Sequence, residues 1–260
     1  MPFLTVDHHR LHYVEHRAAA SPGRPALVLI HGAGGNLYHW PPVLRRLPGQ
    51  DVLALDLPGH GRSSGPGCTT IAAYAAVVAA WLDQLALPPC VVAGHSMGGA
   101  IALELALRQA QRLRGLVLIA TGARLRVHPD ILHRMRDDPT AAARQIVEWA
   151  YGPQATPEQK RQYLRHLLAV DREVFYGDWL ACDGFDVRDQ LGAISLPTLI
   201  LTGTADIMTP PKWAAFLAEH IPGADPAWIE GAGHMLPLER PAEVAAAIAG
   251  FMERVGEGRW

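Results

Sequence analysis

The chain is poor in lysine, in cysteine and in long apolar runs, and each shortage removes a class of protein. Of its 23 basic residues only Lys160 and Lys212 are lysines, and 25 acidic residues bring the net charge to −2. Without an excess of positive charge there is no general attraction for nucleic acid or an anionic membrane surface. The three cysteines, Cys68, Cys90 and Cys182, are too few and too scattered for a disulfide scaffold or a thiolate zinc site. Apolar runs such as Ala26–Ile30 and Leu116–Ala120 fall far short of the roughly 20 residues that cross a bilayer. The first ten residues turn polar by Asp7 and hold no signal-like apolar core, so the expected compartment is the cytoplasm. No His-Glu-x-x-His or equivalent spacing points to a metal.

What is present is a globular pattern. At 260 residues and 49% hydrophobic, the chain can bury about three quarters of its unfolded surface in one core. Phe3–Val6 and Leu11–Val14 alternate around a polar turn at Asp7–Arg10, which reads as an edge hairpin. From Pro25 onward, short Val/Ile/Leu-rich runs alternate with helix-length segments. The runs are Ala26–Ile30, Val52–Leu55, Cys90–Ala93, Leu116–Ala120, Thr198–Leu201 and Pro226–Ile229. Their continuous apolar character suits strands covered on both faces, as in a parallel sheet. Trp40–Leu47, Ile71–Leu87, Met97–Gln109, Lys212–His220 and Ala242–Val255 are the helix candidates between and after them. The predicted fold class is therefore α/β.

Between Thr121 and Leu196 the alternation stops. This stretch has no convincing strand, is punctuated at Pro129, Asp138-Pro139, Gly152-Pro153 and Gly184, and is dense in aromatics. It reads as a helical insertion folding over the sheet edge.

The chemistry begins at Gly94-His95-Ser96-Met97-Gly98, a G-x-S-x-G sequence placed between a predicted strand and a predicted helix. There a serine sits on a sharp turn, its side chain lifted off the sheet, and the N–H of Met97 opens the helix toward an oxyanion. A serine nucleophile needs a base, and the base needs an orienting acid. Asp206 follows the Thr198–Leu201 run and His234 follows Pro226–Ile229, so both fall on loops at the same sheet edge as Ser96. Asp186 is the rival acid, expected instead to cap or orient the last insertion helix. Among 13 histidines, His8, His9, His12 and His16 are read as solvated hairpin residues, and the His95 ring as pointing away from the Ser96 side chain. A histidine base predicts activity that fades as the solution is acidified.

The second oxyanion donor is expected from His31-Gly32-Ala33-Gly34-Gly35-Asn36, with Ala33 N–H first and Gly34 second. His31 is assigned to bracing this loop. Its glycine spacing matches neither G-x-x-x-x-G-K-[ST] nor G-x-G-x-x-G, which argues against phosphate binding. Asp56–Ser63 reads as a structural turn with Arg62 anchoring its neighbours. Candidate pocket residues are Gly34, Asn36, Leu37 and Trp40 on the first loop, and His95, Ile207, Met208 and Met235 beside the catalytic positions. Arg124 and Arg126 leave two options open: pointing inward they favour a carboxylate-bearing substrate, pointing outward a neutral ester or lactone.

On His31-Gly32, Asp56–Ser63, Gly94–Gly98, Asp206 and Gly233-His234, the chain resembles the α/β-hydrolase superfamily over essentially its whole length. The resemblance implies a mostly parallel eight-stranded sheet flanked by helices. It implies a core of residues 1–122 and 193–260, with a helical cap of residues 123–192 between strands six and seven. Serine at position 96, where dehalogenases and epoxide hydrolases have aspartate, is most similar to the small bacterial esterases, lactonases and carbon–carbon bond hydrolases. The leading expectation is a cofactor-free serine esterase acting on a small, fairly apolar acyl substrate, as a monomer or homodimer. The alternatives are a lactonase or carbon–carbon bond hydrolase, a cofactor-free haloperoxidase or perhydrolase, and a non-enzymatic ligand receptor.

Overall fold

A computed structural model describes residues 2–19 and 23–260. The chain opens with a hairpin, β1 (Phe3–Val6) and β2 (His9–His16), joined through Asp7 at φ 51°. β3 (Leu27–Ile30) and β4 (Val52–Leu55) come next, followed by β5 (Cys90–His95), β6 (Leu113–Ile119), β7 (Thr198–Gly203) and β8 (Asp225–Ile229). They form an eight-stranded sheet in the order β1-β2-β4-β3-β5-β6-β7-β8. β1–β2 and β2–β4 pair antiparallel, and every other pairing is parallel.

The continuous apolar runs are explained by cover on both faces. Val28, Ile30, Val92, Leu116 and Leu118 join a core under α2 (Ile71–Gln84) and α3 (Met97–Arg108). Their sequence neighbours Leu27, Leu29, Val91, Val117 and Ile119 join the opposite core, with Phe251 and Ile248 of α10 (Pro241–Gly256). Each such buried side chain contributes about 1.5–3 kcal/mol. β3 lies between β4 and β5, so the chain leaves it toward opposite sides of the sheet. The loops after β3 and β5 then border a crevice at the carboxyl ends, where α/β sheets place their ligands.

Two expectations need correction. The helix expected over Trp40–Leu47 is split into a 3₁₀ turn at Leu37–His39 and a short α1 at Pro42–Arg45. Pro42 has no N–H to donate and is tolerated only in a first turn, so the helix restarts there. In the hairpin, His9 and His12 are buried rather than solvated. The Asp56–Ser63 turn folds back over β2, and Asp56 Oδ2 pairs with His12 Nδ1 at 2.7 Å. Asp56 is the main anchor of that turn, since it also accepts from Leu37 N–H at 2.8 Å and Arg62 N–H at 2.9 Å.

Between β6 and β7 the described residues form α4 (Pro129–Asp137), α5 (Pro139–Ala150), α6 (Pro157–Ala169) and α7 (Arg172–Asp183). The first three start at a proline in the first turn, and Asp138, Thr156 and Asp171 cap α5, α6 and α7. At the neck of this segment Val187 N–H donates to Ala123 O at 2.8 Å, beside an isolated Arg124–Asp186 bridge. After β7 come α8 (Pro211–His220) and, before α10, the short α9 (Leu236–Glu239).

Candidate active site

Ser96 stands between β5 and α3 at φ 54° and ψ −117°, a conformation that an L-residue adopts only under strain of about 1–3 kcal/mol. Its neighbours enforce the turn. Ser96 N–H donates to Ile119 O at 2.9 Å, and Thr121 Oγ1 donates to Ser96 O at 2.8 Å. The flanking glycines are steric requirements: a Cβ on Gly94 would lie 2.1 Å from Gly98 O, and one on Gly98 2.2 Å from Ile30 O.

Across the crevice, the loop after β3 is held from several directions. His31 Nδ1–H donates to Gly32 O at 2.8 Å, and its Nε2 accepts from Leu57 N–H at 3.0 Å. Burial, with His60 nearby, holds the His31 pKa well below the ordinary histidine value, so the ring is neutral and both nitrogens are occupied. Gly34 N–H donates to Asp178 Oδ2 on α7 at 2.7 Å, which removes it as an oxyanion donor. The N–H groups of Ala33 and of Met97, at the first position of α3, have no protein acceptor among the described residues.

The loops after β7 and β8 bring the acid and the imidazole together. His234 Nδ1 lies 2.9 Å from Asp206 Oδ2, and both groups are buried. Asp206 also accepts from Met208 N–H at 2.8 Å, Thr209 N–H at 2.9 Å and Thr209 Oγ1–H at 2.7 Å. Burial alone would push this carboxyl up, but the His234 charge and these hydrogen bonds bring it below the usual aspartate value. The other nitrogen of His234, Nε2, carries no hydrogen bond among the described residues, and the ring lines the same cavity as Ser96. Catalytic hydrogen bonds commonly tighten only around bound substrate. His95 Nε2–H donates to His234 O at 2.8 Å, and burial brings its pKa down to about 3. Glu239 accepts from Gly152 N–H and Gly233 N–H, bracing the turn that carries His234.

A cavity of about 140 Å³ joins these groups, walled by Ala33, Ser96, His95, Met208, Met235 and His234. The remaining expected pocket residues lie elsewhere. Leu37 and Trp40 are fully buried in the core beneath α10, and Gly34 packs against Phe175 and Leu167 of the helical segment. Ile207 is exposed, because the Asp206–Thr209 turn aims it outward, and Asn36 faces a separate cleft. Asp186 is a surface residue paired with Arg188 at 2.7 Å, and it accepts from the Arg188 N–H at 3.3 Å instead of capping an insertion helix.

Sequence reasoning missed Thr209, His39, Tyr163, Trp179 and Trp213, all on the cavity wall. Thr209 had a readable signal, its position three residues after Asp206 in a side-chain-capped turn. The others depend on long-range packing. Cys182 also borders the cavity, but burial pushes its thiol up so that it stays protonated and is no rival nucleophile. Among the described residues no group of three or more His, Cys, Asp or Glu side chains is arranged to hold a metal ion, and no helix is long and apolar enough to cross a membrane.

Comparison with known proteins agrees with this architecture. A pimeloyl-[acyl-carrier protein] methyl ester esterase of Neisseria meningitidis is 30% identical, with 87% of this chain and 93% of that protein aligned. Lipase LipV of Mycobacterium tuberculosis is 31% identical over the same shares of each chain. Among solved structures, a thermophilic esterase superimposes with a TM-score of 0.87 at 32% identity, covering 98% of both chains. The enol-lactonase of Burkholderia xenovorans LB400 superimposes at 0.89 with 26% identity, over 97% of this chain and 100% of that one. Residues 27–247 match the family model described as the alpha/beta hydrolase family, and the chain belongs to that family.

Proposed function

We propose that the protein is a serine hydrolase of small carboxylic esters that works through an acyl-enzyme. The observation that carries this reading is the His234–Asp206 pair, whose ring edges the cavity that also holds Ser96 and the uncommitted N–H of Ala33. Ser96 Oγ attacks the ester carbonyl while His234 Nε2 takes its proton. Asp206, ionised and multiply hydrogen-bonded, fixes the Nδ1–H tautomer and stabilises the imidazolium that forms. The N–H groups of Ala33 and Met97 receive the oxyanion, in a site partly screened from water. His234 then returns the proton to the leaving alcohol. Water, activated by the same ring, attacks the acyl-enzyme and releases the acid.

Residues 123–192 act as the cap of the site in this reading, since Leu125, Val127, Tyr163 and Trp179 contribute to the cavity wall. The apolar side chains of Met208, Met235, Leu125 and Val127 suit a short acyl group. Relatives named as esterases support an ester substrate. A lactone is the second reading, favoured by the likeness to the enol-lactonase, because a lactone is an internal ester and needs no further group.

The test is hydrolysis of p-nitrophenyl esters from acetate to decanoate by wild type and Ser96→Ala. Turnover that depends on Ser96 and peaks at short chains supports the proposal. A folded wild-type protein that hydrolyses neither these esters nor simple lactones would refute it.

A further inference from the structure

The segment that follows β6 brings two arginines to the cavity. Arg124 and Arg126 both line the wall opposite no acid, for neither Asp nor Glu appears among the lining residues. Arg124 reaches Asp186 only at 3.7 Å from its Nε, whereas Arg188 holds the same carboxylate at 2.7 Å. One anion thus serves two guanidiniums. Arg126 is exposed and makes no ion pair among the described residues. On the same wall the Trp179 Nε1–H is buried without an acceptor.

A neutral ester gives these groups no work, because its acyl and alcohol parts need only the apolar wall. A guanidinium binds a carboxylate through two parallel hydrogen bonds, and the attraction strengthens where the pair is partly withdrawn from water. Positive charge at a cavity mouth also raises the local concentration of an anionic substrate.

Resting on the ester-hydrolase reading above, we infer that the substrate is a carboxylic ester bearing a second, remote carboxylate, which Arg124 and Arg126 hold while the ester carbonyl sits at Ser96. Hydrolysis consumes one water and breaks only the acyl–oxygen bond, so no further reactant is required. The free carboxylate passes through unchanged. The reaction that supplies such a substrate is the esterification of one carboxyl group of a diacid or the acylation of a hydroxy acid.

Two substrate pairs test this. Monomethyl esters of dicarboxylic acids from succinate to suberate are compared with methyl esters of monocarboxylic acids of equal length. Acetyl esters of ω-hydroxy acids are compared with acetyl esters of the plain alcohols, which places the charge on the alcohol side. The expected result is a preference for the anionic member in at least one series, about 10-fold in kcat/KM and carried mainly by KM. The preference should weaken as salt is raised. Arg126→Gln and Arg124→Gln should each reduce the anionic-to-neutral ratio several-fold, and Arg126→Lys should restore part of it. Because the ratio is taken within one protein, a general loss of activity cancels. Neutral esters hydrolysed as well as anionic ones, or a ratio untouched by both glutamine variants, overturns the inference while leaving the hydrolase reading intact. Failure to hydrolyse any ester removes both.

Discussion

Three buried histidine–aspartate pairs lie among the described residues, and the difference between two of them, His60–Asp178 and His234–Asp206, separates chemistry from architecture. His60 Nε2 lies 2.7 Å from Asp178 Oδ2, which is closer than the 2.9 Å between His234 Nδ1 and Asp206 Oδ2. Yet His60 uses its other nitrogen on Pro58 O at 2.9 Å, so both ring N–H groups are consumed inside the protein. Asp178 is equally committed, accepting from Gly34 N–H at 2.7 Å and Tyr74 O–H at 2.5 Å. It joins α7 to the loop after β3 and to α2. His234 instead leaves Nε2 uncommitted at a cavity wall. A paired imidazole is catalytic equipment only when one nitrogen remains available.

The comparison can be broken from either side. The largest effect belongs to the cavity pair. Ser96→Ala should lower kcat by on the order of 10⁴–10⁶, and Asp206→Asn by on the order of 10⁴ through loss of the correct tautomer, measured on p-nitrophenyl acetate. Both variants should keep a melting temperature close to that of the wild type.

Breaking the architectural pair should give the reverse profile. Asp178→Ala leaves His60 and Gly34 N–H without their acceptor in the interior, costing about 3–5 kcal/mol and lowering Tm by roughly 10 °C. A calorimetric scan that finds Tm unchanged would sink the assignment of Asp178 as the link between α7 and the loop.

pH sharpens the contrast further. Burial alone would lower His60, but the Asp178 charge and hydrogen bonds raise its pKa above the ordinary histidine value. The stabilisation from this pair is therefore full below about pH 6.5 and is lost as pH rises through the folded-state value. His95, brought down to about 3 by burial, acts with the opposite sign. Its contribution is full above pH 6.5 and falls by about 1.4 kcal/mol for each unit of acidification toward pH 3. Urea unfolding across this range should show a steep acid limb that His95→Gln flattens. The gentler alkaline decline should be flattened by Asp178→Asn, and unaltered limbs in these variants would contradict the assignments.

The smallest effect is expected from Asp186, the rival acid. Asp186 is half-exposed and paired with Arg188 in solvent, where ion pairs contribute little, so Asp186→Asn should leave Tm unchanged within error.

The sequence made much of this legible. The strand-turn-helix context of Ser96 is local, and so are the positions of Asp206 and His234 just beyond apolar runs. Ala33 was separable from Gly34 only in three dimensions, because the competitor for Gly34 N–H is Asp178, 144 positions away. Leu37 and Trp40 were misplaced for a related reason. Position beside a catalytic loop does not fix side-chain direction, and both turn down beneath the sheet. Nothing local to His9 and His12, expected to be solvated, shows that the returning Asp56–Ser63 turn covers them.

By itself the sequence determined the layered α/β fold and the chain order of the proposed nucleophile, acid and base, because periodicity and strand-end position are properties of short segments. The tertiary structure decided which proposed oxyanion donor is free, which paired imidazole keeps an unused nitrogen at the cavity beside Ser96, and that Arg124 and Arg126 meet the cavity. Those outcomes depend on hydrogen-bond partners and packing surfaces far apart in the chain, and no local pattern encodes where a side chain finds its partner.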